Sequence, residues 1–249
     1  MPSASLPVLE VDLGPGVRAF FTTREGGVSA GEHAALNLGL AVEDEPRRVL
    51  ANHDLLAREL GVPVAFGRQV HGADVLHVTG PPSPGSPTVG TGDGLVTTTA
   101  DLGLGVVVAD CVPVLLADAA RGVVAIAHAG RAGLVAGVVP RVLARMRALG
   151  AVQIAAVVGP SICGDCYEVP APLRDEVDHA VPGTASTTSW GTPALDLPAG
   201  VLGQLREHGV EAVEHVAACT FTDERFYSHR RFGADGTRRG RFAGVVRLT

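Results

Sequence analysis

The sequence contains no lysine: all twenty of its basic residues are arginine. With no ε-amine available, Schiff-base catalysis and a Walker A phosphate loop are both excluded. Aromatic residues make up only 4% of the chain, so the core must be built from Val, Leu and Ala. Cysteine is confined to Cys111, Cys163, Cys166 and Cys219. These are too few and too scattered for a disulfide scaffold, which leaves core residues, ligands or nucleophiles. Positive charge is also short. A net charge of −6 lacks the basic footprint of a general nucleic-acid binder, and no nucleic-acid partner is expected. No apolar run reaches the ~18 residues of a membrane span. The first residues lack the cationic and apolar segments of a signal peptide. No membrane partner is therefore expected, and the expected location is cytoplasmic.

The 249 residues, 46% of them hydrophobic, suffice for one domain over 1–249. The most apolar stretch, Gly105 to Gly133, holds two runs rich in Val, Ile and Leu around the turn at Asp118–Gly122. Both runs are apolar on either parity, which predicts strands in a sheet covered on both faces. Asp110, Cys111 and His128 lie at or near the ends of those strands. Around this centre the pattern predicts strands at 17–23, 64–78 (broken at Gly72), 93–97, 152–158, 213–218 and 242–248. It predicts helices at 46–60, 134–149 (kinked or split by Pro140), 172–180 and 198–208. Thr79 to Gly94 holds five Gly and four Pro and reads as a loop. Val181 to Pro193 reads as a polar loop, and Phe221 to Gly240 as arginine-rich and irregular.

His71, Cys111 and His128 come from three separate strand-like segments. A His-Cys-His set suits Zn²⁺ with one position left for water or substrate. Spacings of 40 and 17 residues match no local metal motif, however, and a buried Cys or a His among alanines is also ordinary core material. Cys163-Gly-Asp-Cys166 admits three readings: a redox pair, part of a deaminase zinc site, or a tight turn after Gly159-Pro160. No His-x-Glu occurs anywhere in the chain, so the usual deaminase arrangement is missing, and the turn is the favoured reading. Seven arginines fall between Arg225 and Arg247. They form either a solvated loop or, with Arg24, a clamp for an anion.

Five motifs stand in one order: Gln69-Val-His71-Gly-Ala-Asp74, Ala109-Asp-Cys111-Val-Pro-Val-Leu-Leu, His128-Ala-Gly130, Gly159-Pro-Ser-Ile-Cys163-Gly-Asp-Cys166-Tyr-Glu168 and Phe226-Tyr-Ser-His-Arg230-Arg231. In this the chain resembles the YfiH/YlmD/FAMIN family, earlier labelled polyphenol oxidase or laccase-domain proteins, from about Phe20 to Leu248. The resemblance implies an α+β (α/β type) single domain with mixed β-sheets packed between α-helices; a monomer is expected. It implies Zn²⁺ held by His71, Cys111 and His128, which are also the catalytic set, and no organic cofactor. It implies phosphorolysis of adenosine, inosine, guanosine and methylthioadenosine, with deamination of adenosine, so the expected partners are purine nucleosides and phosphate. Arg24, Asn37, His53 and Arg230 are the matching substrate and phosphate positions. Alternatives are a peptidoglycan-precursor editing amidase, a copper-dependent polyphenol oxidase and a non-catalytic binding module. The chain departs from the family at three places. It has Arg131-Ala132 where relatives have Trp-Arg, His53 where relatives have a phosphate-binding Arg, and His229 where relatives often have Tyr.

Overall fold

The computed structural model describes residues 5–83, 85–236 and 239–249. Its strands form two six-stranded mixed sheets. The first runs in the order β1 (Val8–Val11), β2 (Val17–Thr22), β14 (Phe242–Leu248), β7 (Gly103–Val108), β3 (Val64–Arg68), β5 (Thr88–Thr91). The second runs β13 (Ala212–His215), β10 (Ala155–Val158), β8 (Val112–Asp118), β9 (Val123–Ala129), β6 (Gly94–Thr97), β4 (Val75–His77). A small hairpin pairs β11 (Ala185–Thr187) with β12 (Pro193–Leu195). The helices are α1 (Pro46–Leu60), α2 (Arg131–Val135), α3 (Val138–Ala148), α4 (Ala171–Ala180), α5 (Leu197–Glu207) and α6 (His229–Asp235). None of them is long and apolar enough to cross a membrane.

The apolar runs explain the layering. Every residue of β8 and β9 is buried. Leu115, Val124 and Ile126 point inward to Phe21, Leu104 and Val106 of the first sheet. Val114, Leu116 and Ala125 point outward to Leu134, Val142 and Leu143 of the helices. Phe20, Phe66 and Val245 on the outer face of the first sheet meet Leu56 and Leu60 of α1. Each sheet is thus covered on both faces, as the doubly apolar pattern predicted. Each large aliphatic side chain so buried contributes about 1.5–3 kcal/mol.

Four local expectations change. The polar loop expected over 181–193 contains β11 and the first residue of β12. The long helix over 134–149 is split, but at Gly137 (φ 79°) rather than at Pro140. Pro140 sits in the first turn of α3, where a missing N–H costs little. The 79–94 loop contains β5, a short edge strand paired parallel to β3; its glycines hid the strand pattern. The arginine-rich segment contains α6, capped by Ser228, whose hydroxyl accepts from the Arg231 N–H, and ended by Gly236 at φ 68°. That helix has no buried residue, so it leaves no apolar stripe to read.

Of the three crossings from the first sheet to the second, the one between β5 and β6 carries Asp93, and the other two run between β3 and β4 and between β7 and β8. Among the described residues only His71 (φ 59°) and Asp110 (φ 85°) are non-glycine residues at positive φ. One lies in each of the latter two crossings. The left-handed conformation costs roughly 1–2 kcal/mol at such a residue. The two crossings are therefore strained points held by their surroundings.

Candidate metal centre and its cavity

At the crossing between β3 and β4, Gln69 takes over strand pairing where β3 ends. Its amide donates to the Val107 carbonyl at 2.8 Å and accepts from the Val107 N–H at 2.9 Å. The next three residues wrap a carboxylate: Asp93 accepts from the N–H groups of Val70 (3.1 Å), His71 (2.9 Å) and Gly72 (2.9 Å). The same carboxylate accepts from His128 Nδ1 at 2.8 Å. Asp93 thus fixes one imidazole through its backbone and another through its ring. Because His128 Nδ1 faces Asp93, its Nε2 is the nitrogen left for a metal, the usual carboxylate–histidine arrangement behind a ligand.

The crossing between β7 and β8 delivers Cys111. Its Sγ lies 3.7 Å from His71 Nε2, and the ligand atoms of His71, Cys111 and His128 all lie within 4.8 Å of one another. Tetrahedral zinc with ordinary Zn–S and Zn–N distances sets such a sulfur–nitrogen pair ~3.6 Å apart, so the residues fit the ion. Gly130 keeps this space open: a Cβ there would stand 2.7 Å from His71 Cδ2 and 3.0 Å from Cys111 Sγ. Burial pushes the Cys111 thiol up, but contacts with His128 and His71 outweigh it and bring it down to about 6. Burial pushes His128 down, yet Asp93 and Cys111 together raise it to about 9. A thiolate is the form a metal takes up.

The triad stands at one wall of a cavity of about 670 Å³, within the range of small-molecule sites. Leu38, Phe66, Val108, Ile162 and Leu197 supply apolar walls, and Arg68, Arg131, Arg230 and Arg241 also line the cavity, with the Arg68 guanidinium donating to the Thr91 hydroxyl. Arg230 lies 5.1 Å from the Tyr167 ring centre and donates to the Glu168 carbonyl at 2.9 Å. Asp110 accepts from Thr220 Oγ1 at 2.6 Å and from the Arg230 N–H at 2.7 Å. Both its oxygens are engaged, which makes Asp110 a support for Arg230.

The residues expected at the phosphate position are not all brought together. Arg230 and His53 line the cavity. His53 is neutral there: burial drives it down to about 4, and its Nε2 pairs with the Leu38 carbonyl at 2.9 Å. Arg24 does not line the cavity, because its guanidinium is spent on the carbonyls of Glu224 (2.6 Å) and Ala34 (3.4 Å). Asn37 is fully buried below the wall. Its amide donates to Asp44 at 2.8 Å, and its oxygen accepts from the N–H groups of Gly39 and Arg241, both at 2.9 Å. It therefore places Arg241 rather than a ligand.

The arginine-rich segment divides in the same way. Arg230 and Arg241 face the cavity, whereas Arg225 pairs with Asp223, Arg231 with backbone carbonyls, Arg239 with Glu43 and Arg247 with the Leu60 carbonyl. Arg238 lies outside the described residues. Sequence reasoning missed Asp93 as a site residue and held Arg241 only as one of the seven arginines of the candidate clamp. The β6–β9 register, with Gly94 opposite Ala127, is what sets Asp93 beside His128, and no local motif announces it.

The family described as "multi-copper polyphenol oxidoreductase laccase" matches residues 18–249. A Mycobacterium tuberculosis protein named purine nucleoside phosphorylase is 47% identical over 235 residues, covering 92% of this chain and 91% of its own. A Streptomyces coelicolor protein of the same name is 49% identical over 233 residues, covering 92% and 94%. The crystal structure of YlmD from Geobacillus stearothermophilus superposes with a TM-score of 0.84 at 33% identity, covering 94% of this chain and 92% of that one. That of YfiH from Bacillus licheniformis gives 0.81 at 29% identity, covering 94% and 93%.

Proposed function

The chain belongs to this family, the one that includes YfiH and YlmD, and on that premise we propose that it is a zinc-dependent purine nucleoside phosphorylase that also deaminates adenosine. The observation that carries the reading is the convergence, on one nucleoside-sized cavity, of a His-Cys-His triad and four arginines. The names of its relatives point the same way. Adenosine, inosine, guanosine and methylthioadenosine are the proposed substrates.

His71, Cys111 and His128 would hold the zinc, with Asp93 behind them. When bound, zinc supplies a Lewis acid able to lower the pKa of water to about 7. The protein's own share of phosphorolysis is positioning. Phosphate attacks ribose C1′ and the purine departs. Arg230, braced on Tyr167 and Glu168, and Arg241, fixed by Asn37, present guanidinium groups to the phosphate. Burial pulls Arg241 below its ordinary value, but a guanidinium stays charged, and a buried cation facing a cavity favours an anionic occupant. Arg131 opens α2 at the cavity wall and is available where relatives place an arginine one residue later. Neutral His53 adds no charge. The apolar walls exclude water from the base.

A copper phenol oxidase would need histidines grouped over several sites. Among the described residues the only cluster that contains imidazoles is His71, Cys111 and His128. The deciding experiment incubates purified protein with adenosine, with and without phosphate. Adenine plus ribose 1-phosphate marks phosphorolysis, and inosine marks deamination. Full turnover by Cys111→Ala or His128→Ala protein with no metal bound would overturn the mechanism, and turnover of a muramyl-peptide precursor in place of adenosine would overturn the substrate class.

A further inference from the structure

A second triad lies outside the cavity. Cys163, Cys166 and Cys219 are all free thiols, and their sulfurs lie within 4.8 Å of one another. We propose that these three thiols form a second zinc site, one that clamps the turn at 159–167 to the loop at 218–223.

The two segments hold the sulfurs through backbone bonds. Cys163-Gly-Asp-Cys166 closes a tight turn in which the Cys163 carbonyl accepts from the N–H groups of Cys166 (3.1 Å) and Tyr167 (3.0 Å). Gly164 is required in it: a Cβ there would stand 2.8 Å from Ser186 Oγ and 2.9 Å from Asp196 Cβ. Cys219 arrives on a parallel bridge to Ser161, with Ser161 N–H donating to the Ala218 carbonyl at 3.2 Å and Thr220 N–H to the Ser161 carbonyl at 3.0 Å. The Cys163 N–H points at Cys219 Sγ, 3.5 Å away.

A C-x-x-C turn giving two thiolates, with a distant third, supplies three of the four ligands of a Cys₃His zinc site. One tetrahedral zinc would bring the sulfurs to ~3.8 Å apart, so closing from a limit of 4.8 Å asks for small side-chain movements only. Among the described residues no fourth His, Cys, Asp or Glu atom joins the group, and water completes the coordination. Three thiolates prefer a soft ion over Mg²⁺ or Ca²⁺. Ile162 and Tyr167, which flank the C-x-x-C turn, line the cavity, and Thr220, next to Cys219, holds Asp110. The clamp would therefore stiffen the wall that carries Arg230 without touching substrate.

The test strips full-length protein with chelator under reducing conditions, titrates it with Zn²⁺ alone, and counts bound metal. Wild type should bind two ions, Cys111→Ala one and Cys219→Ser one, with Cd²⁺ giving thiolate charge-transfer absorption in the Cys111→Ala protein. Should Cys219→Ser fail to fold, alkylation of wild type read by mass spectrometry replaces it. Zinc should slow labelling of Cys163, Cys166 and Cys219 about tenfold or more, since the bound thiolate is no longer free to react. A Cys111→Ala protein that holds no zinc overturns the proposal. So do equal labelling rates with and without zinc, or a disulfide between any two of the three under the same conditions.

Discussion

The two triads share their size and differ in almost everything else. Each sets three ligand atoms within 4.8 Å. The first mixes two imidazoles with one thiol, takes each ligand from a different segment of the sheet crossings and strand ends, and has Asp93 locked behind it. It opens on the cavity. The second is sulfur alone, drawn from a turn and a loop, with backbone N–H groups behind it and none of its members on the cavity wall. The chemistry of the neighbours decides the charge. Imidazoles pull the Cys111 thiol down to about 6 against burial. Burial and sulfur neighbours push Cys166 up to about 12. In the second triad the neighbours divide the sulfurs instead, since, against burial, hydrogen bonds from Cys163, Thr222 and Phe221 hold the Cys219 thiol below its ordinary value.

The sharpest way to break this contrast is to delete one thiol from each triad. Cys111→Ala should lower nucleoside turnover by more than the ~10–100-fold typical of losing an outer partner of a metal ligand, and the protein should lose one zinc. Cys219→Ser should keep turnover within about threefold and lower the melting temperature instead, since binding energy at a structural site is folding energy. Kinetics with adenosine and a thermal melt on both variants check this. Equal loss of turnover in both would dissolve the distinction.

The neutrality of His53 on the cavity wall is tested by pH. His53 titrates near 4 in the folded protein and near 6.5 when unfolded. The unfolded chain therefore binds more protons between these values, and stability must fall as pH drops from 6.5 to 4. The loss through this one group is on the order of 3 kcal/mol. Chelator-stripped wild type, unfolded in urea at a series of pH values, should show that slope, and His53→Gln should flatten it. An unchanged slope would mean that His53 is charged in the fold and belongs with the arginines that line the cavity.

Asp93 tests what stands behind the reactive triad. Asp93→Asn keeps the shape but replaces an acceptor of four N–H bonds by a neutral amide. Zinc affinity should fall ~10–100-fold, measured by competition with a chromogenic chelator, while metal at the cysteine triad stays in place.

The sequence made the central strands legible because burial on both faces erases alternation, and the runs at 105–108, 112–117 and 123–127 show it plainly, whereas the short strands β1, β5, β11 and β12 carry no such run. The helices at 46–60 and 198–208 were legible from their apolar faces and flanking residues. The His-Cys-His set was visible as three residues and acquired geometry only through the resemblance, since its members meet across two sheet crossings whose pairing no local pattern encodes. Asp93 was unreadable for the same reason. The phosphate side misled because an arginine's type says nothing of its partner: Arg24 and Arg231 spend themselves on backbone carbonyls, whereas Arg241 is turned inward by Asn37 from 204 positions away.

The mildest test makes the same change in both triads. Gly130 has an extended backbone, at φ −75° and ψ 168°, and Gly164 is not among the glycines at positive φ, so alanine at either costs packing rather than backbone strain. At 130 the new methyl meets His71 and Cys111; at 164 it meets Ser186 and Asp196. Overpacking of this kind costs about 1–2 kcal/mol. At Gly130→Ala the strain falls on ligands, whose rings move more easily than sheets, so zinc affinity and turnover should drop severalfold while the melting temperature holds. At Gly164→Ala it falls on the Ser186 hairpin and the Asp196 cap of α5, so the melting temperature should drop while turnover holds. Parallel melts and adenosine kinetics on the two variants read this directly. If Gly130→Ala lowers only stability, the gap beside Cys111 is a packing detail and not room kept for an ion.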